Sequence, residues 1–343
     1  MNKAAKFVLS VALATAALGL VGWGAPGHRT ITQVAIALLP DDMPAWLRDP
    51  AMVDAAAYQS GEPDRYRGIS SPVLSHENNP DHYLDAELLA RHALTLKSLP
   101  HLRYEYVEKL IKTPSGATAD GKLADGSPDP AAGAEEKASP NGAFNPEGVG
   151  MLPYSIAEHY AKLVCSFNTV RILERLSEPR RAVQLATAKA NVIFEMGQLS
   201  HFVGDAGQPL HLTIHHHGSV GPNPKGYTTE RKFHAHIDEG VIEKHHLGVE
   251  ALIASKPTMT AIAPGLSWDA TIGLLERTSS RVEPLYQLQK SGDLAKEPGK
   301  AFIATCMGDA SGVLSGLYHA AWVESEPSQK QIDDFVKYNM FGE

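Results

Sequence analysis

The chain has 343 residues, with 31 Lys and Arg against 39 Asp and Glu, 16 His and two Cys. A net charge of −8 excludes a protein that grips nucleic acid with a broadly basic surface, so any phosphate must be met by local cations. Two cysteines exclude a thiolate metal cluster and a disulfide-dense scaffold, and leave Cys165 and Cys306 open to one disulfide or to two separate thiols.

Residues 1–22, MNKAAKFVLSVALATAALGLVG, read as a secretory signal peptide: Lys3 and Lys6 precede an apolar run from Phe7 to Leu20, and small residues follow. The run is short for a bilayer span, so no stable membrane insertion is expected and the mature chain is secreted or periplasmic. Cleavage after Gly19 fits the small-x-small rule best; cleavage after Gly22 makes Trp23 the new N-terminus and leaves 29 basic against 39 acidic residues, a net charge of −10.

The remaining residues, about 320, suit one large domain over 23–330 with a C-terminal tail at 331–343. Helical spacing of apolar and small residues predicts helices at about 28–40, 85–112, 152–177, 179–204, 231–246, 266–291 and 297–325. Alternating strand-like runs are scarce, so the class is all-α. Residues 113–150 are rich in Ala, Gly, Pro, Ser and Asp and nearly lack aliphatic side chains, which predicts an extended or disordered insertion. Residues 205–230 form a second irregular stretch between two histidine-bearing helices.

The segment HFVGDAGQPLH, residues 201–211, closes an apolar helical run. His201 and Asp205 are four apart and share one helix face, and Pro209 turns the chain so that His211 can point back. Two readings are open at this point: a core histidine with a helix-end cap, or a metal site, because a cation removes the cost of burying a carboxylate. KFHAHIDEG repeats the spacing with His234 and Asp238. WGAPGH sets His28 at a helix start, GEPDRYRG holds Asp64 with Arg65 and Arg67, and NPDHYLDAE holds His82. Imidazole and carboxylate without thiolate suit Zn²⁺ in a hydrolytic site.

The Trp-x-x-x-x-His start, the His-x-x-x-Asp…Gln-Pro-Leu-His core and the later His-x-x-x-Asp resemble the S1/P1 nuclease family of the zinc-dependent phospholipase C/P1 nuclease superfamily. The resemblance runs from Trp23 to about Trp322, interrupted by 113–150. It implies a single mainly helical domain with a trinuclear zinc cleft. Asp64, His82, His201 and Asp205 would hold one zinc, and His211, His234 and Asp238 a second. A third would take the α-amino and carbonyl groups of Trp23 with His28 and a bridging Asp205, which requires cleavage directly before Trp23. The implied activity is phosphodiester hydrolysis of single-stranded DNA or RNA, with 3′-nucleotidase activity open, by attack of zinc-bound hydroxide on phosphorus. Asp64 would orient the nucleophile, Arg67 would stabilise the transition state with Arg65 as its rival, and Tyr83 and Asp85 would bind the base. The chain departs from the family pattern at Gly207, where the core often carries His.

His215, His216 and His217 are expected to form a solvated rim loop, His236 to lie on another helix face, His159 to be structural, and His76 to yield to His82 as a ligand. Two rival functions stand beside the nuclease. One is a zinc-dependent phospholipase C, disfavoured by the short Trp-to-His gap, by Asp238 in place of Glu and by the long interval between His211 and His234. The other is a non-catalytic zinc-binding protein.

Overall fold

The computed structural model describes residues 23–113, 121–133 and 148–338. Among them there is no strand, only isolated bridges between Leu84 and Gly150 and between Lys122 and Pro128. The fold is mainly helical, as composition and spacing predict. The expected signal peptide lies outside the described residues, and no described helix is long and apolar enough to cross a membrane.

The chain opens with α1 (Gly24–Ala37) and α2 (Pro50–Gln59), the latter started by Asp49, whose carboxylate accepts from the Ala51 amide, and by Pro50 at the first position. Short helices follow: α3 (Glu62–Arg67), α4 (Pro72–Asn78) and α5 (Ala86–Leu89). The run predicted at 85–112 breaks here. Ala93 takes a left-handed backbone at φ 53°, Thr95 and Ser98 cap each other, and Pro100 precedes α6 (Arg103–Lys112).

The frame is α7 (Leu152–Leu176), α8 (Ala182–Ala206) and α14 (Glu297–Glu324). Each carries buried apolar residues three or four apart: Leu163, Phe167 and Val170; Val192, Met196, Leu199 and Val203; Ile303, Met307, Ala310, Leu314 and Leu317. Their stripes meet, with α1 packed on α14 and α8, to form one core. Between α8 and α14 lie α9 (Phe233–Ala235), a π-turn at His236–Val241, α10 (Ile242–His245), α11 (Val249–Ala254), α12 (Ser267–Ser279) and α13 (Val282–Ser291). The run predicted at 266–291 is thus two helices. The chain ends in α15 (Gln329–Tyr338), which takes in part of the expected tail because Phe335 packs on the core; residues 339–343 lie outside the described set.

Glycines 308, 312 and 316 line one face of α14. A β-carbon at 312 or 316 would stand 2.4 Å from the Thr258 carbonyl or 2.1 Å from the Thr260 carbonyl. The non-helical stretch after α11 lies in this groove and is tied to it by the Thr260 amide, which donates to Gly312 O at 2.9 Å. Within the 113–150 insertion, residues 121–133 fold back on themselves and are anchored by a buried ion pair between Arg91 and Asp129 at 2.8 Å. Residues 114–120 and 134–147 lie outside the described set. Cys165 is exposed and Cys306 buried, and both are free thiols, which answers the pairing question.

Candidate metal centre

Seven segments deliver the singled-out side chains to one place. Helix α1 brings His28, α3 brings Asp64 and Arg67, and the tight turn Asn79–His82 after α4 brings His82. The last turns of α8 supply His201 and Asp205, and Pro209 then opens a short turn that carries His211. Helix α9 supplies His234, and Asp238 sits in the π-turn. Such a turn widens the helix and re-aims its side chains, here leaving His234 Nε2 3.1 Å from Asp238 Oδ2. His28, His82, His201, Asp205, His211, His234 and Asp238 are each no more than 2% exposed, and Asp64 is 15% exposed.

The eight residues fall into three groups, the first two sharing His201: His28, His201 and Asp205; Asp64, His82 and His201; and His211, His234 and Asp238. Within each, one ligand atom per residue lies within 4.8 Å of the others. Asp205 ties them together. Its Oδ2 lies 3.0 Å from His82 Nδ1 and 3.3 Å from His201 Nε2, and its Oδ1 lies 3.4 Å from His28 Nε2 and 3.7 Å from His211 Nδ1. His201 belongs to two groups. Its Nε2 is 2.9 Å from His82 Nδ1, and its ring stacks on His28 with centroids 4.1 Å apart. Two imidazole nitrogens and a carboxylate oxygen converging deep in the core are a donor set suited to a cation.

For His28, His82, His234 and Asp205 the electrostatics agree. Burial, then the neighbouring His201, holds the His28 imidazole below its ordinary pKa, and burial pushes His82 down to about 3. Burial, with His211, His216 and His217 close by, holds His234 well below the usual histidine range. These rings are therefore neutral at physiological pH and present lone pairs. For Asp205 burial works against the charge, but the imidazoles of His211 and His201 outweigh it and keep the carboxylate ionised. Asp238 is pushed well above the carboxylate range by burial, with Asp205 and Asp64 adding repulsion. Buried polar atoms left without a hydrogen-bond partner concentrate here: both ring nitrogens of His28 and of His234, His211 Nε2, Asp64 Oδ1, Asp205 Oδ1 and Asp238 Oδ2. Leaving such atoms unsatisfied costs about 1–3 kcal/mol each, and divalent cations would satisfy the carboxylate oxygens and one nitrogen of each ring. The donor set therefore fits metal ions.

Outer partners orient the ligands. Asn78 meets His82 Nε2 at 3.1 Å, the Ser60 carbonyl accepts from His201 Nδ1 at 2.8 Å, and Gln208 Nε2 donates to Asp238 Oδ1 at 2.7 Å. None of these was singled out in the sequence; only the Gln-Pro pair carried a local signal. Trp23 is fully buried and its indole donates to Gly204 O at 2.8 Å, while the residues before it lie outside the described set. At Gly207 a β-carbon would stand 2.7 Å from Cβ of Ala310, so packing against α14 leaves no room for a side chain where the nuclease pattern often has His.

Beside the cluster opens a small pocket lined by Arg67, His82, Tyr83, Leu210, His211, His216 and His234. Arg67 Nη1 lies 3.5 Å from Asp64 Oδ1, whereas Arg65 is turned away, paired with Glu62 and stacked over Tyr58. Tyr83 forms an aromatic wall. Asp85 precedes α5 but makes no side-chain cap to it; its carboxylate lies 3.8 Å from His216 Nδ1. The triple histidine is more than a solvated rim: His216 and His217 lie with ring centroids 6.4 and 6.1 Å from His234. His76 and His236 are exposed, and His159 pairs with Glu195 at 2.8 Å, away from the ligand set. No family model and no characterised protein gives a significant match to the chain.

Proposed function

We propose that the protein is a secreted or periplasmic zinc-dependent phosphodiesterase of the S1/P1 nuclease type, acting on single-stranded DNA or RNA. The observation that supports it most is the convergence of five separated sequence motifs on three ligand groups joined through His201 and Asp205. His28, Asp64, His82, His201, Asp205, His211, His234 and Asp238 would hold three zinc ions, the third completed by the amino end of Trp23. Zinc supplies Lewis acidity and a nucleophile at neutral pH.

The chain's own residues do the rest. Arg67 opens onto the pocket beside Asp64 and is placed to neutralise charge on phosphoryl oxygens. Asp64, the most exposed of the ligand carboxylates, accepts the proton of an attacking water. The Tyr83 wall offers a face on which a base stacks, worth about 1–3 kcal/mol, and Asp85 an acceptor for its edge. The buried walls of His82, His211 and His234 exclude bulk water from the reacting phosphate.

The test is metal analysis and N-terminal sequencing of the processed protein, with assays on single-stranded DNA, single-stranded RNA and phosphatidylcholine. Three zincs, a start at Trp23 and cleavage of a single-stranded nucleic acid are expected. Hydrolysis of phosphatidylcholine alone replaces the reading with a phospholipase. Zinc-loaded protein inert on all three supports a binding protein instead.

A further inference from the structure

We propose that His216 is a fourth protein ligand to the cation held by His211, His234 and Asp238, with Asp85 as the carboxylate that orients it; this rests on the metal-centre reading above. The first ground is position. His216 lines the same pocket as His211 and His234, and its ring lies 6.4 Å from that of His234. The rings of His211 and His234 are 4.8 Å apart, so a small turn of the His216 side chain, with the loop backbone held, brings a third imidazole toward an ion between them.

The second ground is the tautomer. His216 Nδ1 lies 3.1 Å from the Thr213 carbonyl oxygen and 3.8 Å from Asp85 Oδ1, two groups that only accept. The proton therefore sits on Nδ1, and Nε2 carries the lone pair. Two of the ligand histidines are built the same way: His201 gives Nδ1–H to Ser60 O at 2.8 Å, and His211 gives it to His82 O at 2.5 Å. A histidine whose far nitrogen donates to a carbonyl or carboxylate is the usual construction of a metal ligand.

The third ground is that the loop is fixed. Thr213 Oγ1 and the Ile214 amide both donate to Glu87, at 2.6 and 3.2 Å, and the Tyr286 hydroxyl donates to His215 O. The ring of His215 is used inside the loop, accepting from the Val220 amide at 3.1 Å. His217 is exposed and is the rival. His216, a third imidazole, would be the fourth ligand of a zinc shell that three protein ligands leave open, so it would guard this ion and yield its position to an incoming phosphate oxygen.

The experiment uses the processed full chain, zinc alone, and cobalt as a coloured substitute. Competitive zinc titration of His216→Ala should show one ion weakened about 10-fold or more, the others unchanged, and a weaker visible cobalt band as water replaces nitrogen. Asp85→Asn should weaken the same ion to a smaller extent, and His217→Ala should change neither readout. Wild-type affinity and an unaltered cobalt spectrum in His216→Ala overturn the proposal, as does a shift seen in His217→Ala instead. His234→Ala separates the two layers: if it loses no ion, the metal-centre reading has failed, and not only the role of His216.

Discussion

Gly204 and His28 are in contact across two helices: a β-carbon at 204 would stand 2.7 Å from His28 Nδ1 and 3.0 Å from its Cε1. Helix α8 presents its backbone so that the His28 ring can lie flat between Gly204 and His201. Both helices are buried in the core, so neither can retreat. Gly204→Ala should therefore push His28 out of its stack, lowering affinity for one cation on the order of 10- to 100-fold while the Asp64–His82 group persists. Zinc titration with a helical-content measurement checks this, and unchanged zinc binding would show that His28 is no ligand.

How much of this was legible beforehand follows physical range. The long helices α7, α8 and α14 carry apolar positions over many turns, and period alone reveals them. The pairs His201–Asp205 and His234–Asp238 are equally local, since four residues are one helical turn. The short helices α2, α3 and α4 escaped because one to three turns carry too little periodicity; packing against α8 holds α2 and α3, and packing on α3 and the Asn79–His82 turn holds α4. The orienting partners escaped for a different reason. Ser60 meets His201 across 141 residues, and nothing in a residue's neighbours announces such a partner; Asn78 is only four residues from His82, but the short turn that joins them carries no periodicity that shows the contact. The glycines of α14 could have been read as a groove, but only the fold shows that an extended segment fills it.

Arg67 and Arg65, two residues apart on one short helix, make a clean contrast. Arg67→Ala should lower kcat on single-stranded nucleic acid about 10²- to 10³-fold with metal content unchanged, the usual effect of deleting one donor to a transition-state oxyanion. Arg65→Ala removes an exposed pair with Glu62 and a stack on Tyr58 and should leave kcat near wild type. Equal losses in both variants would argue that charge near α3, not contact with the phosphoryl group, is what matters.

Asp205 reaches His28, His82, His201 and His211 at once. Asp205→Ala should strip more than one zinc and abolish turnover, with the helices still folded. Metal analysis beside circular dichroism measures both. Loss of a single ion with turnover preserved would place Asp205 outside the shared bridge.

The groove of α14 predicts opposite signs for one kind of substitution. Gly312→Ala sets a methyl against the Thr258 carbonyl at 2.4 Å, and backbone cannot swing aside, so a loss of about 1–3 kcal/mol is expected. Gly308→Ala meets only Cβ of Pro257 at 3.6 Å, an ordinary contact. Its effect should be neutral or a gain of up to about 1 kcal/mol from helix propensity. Denaturant unfolding of the two variants tests the pair.

The metal-free protein should lose stability on mild acidification. His82 is held down to about 3 by burial, and His28 and His234 are also lowered, burial being the largest cause in each. In the unfolded chain all three titrate near about 6.5. Below that pH the unfolded state binds protons that the folded state refuses, so their stabilising share is complete above about 6.5 and drains away as pH falls toward the folded values. Two groups of the cluster run the other way. Burial opposes the charge on His201, but Asp205 and Asp64 raise its pKa, and burial raises Asp238. Their shares are full at low pH and are lost as pH rises through the folded pKa values. Between about pH 6.5 and 4, His201 is protonated in both states. Asp238 and, outside the cluster, Asp81, which burial also raises, then oppose the three imidazoles and His215, which burial lowers, so on balance acid favours the unfolded chain. Bound zinc requires those same rings neutral, so protons and metal compete for them. The melting temperature of zinc-free protein should therefore fall across this window, and the extra stability given by zinc should shrink with it. A zinc-free melting temperature that stays flat or rises on acidification would mean that these imidazoles are not held neutral in the core.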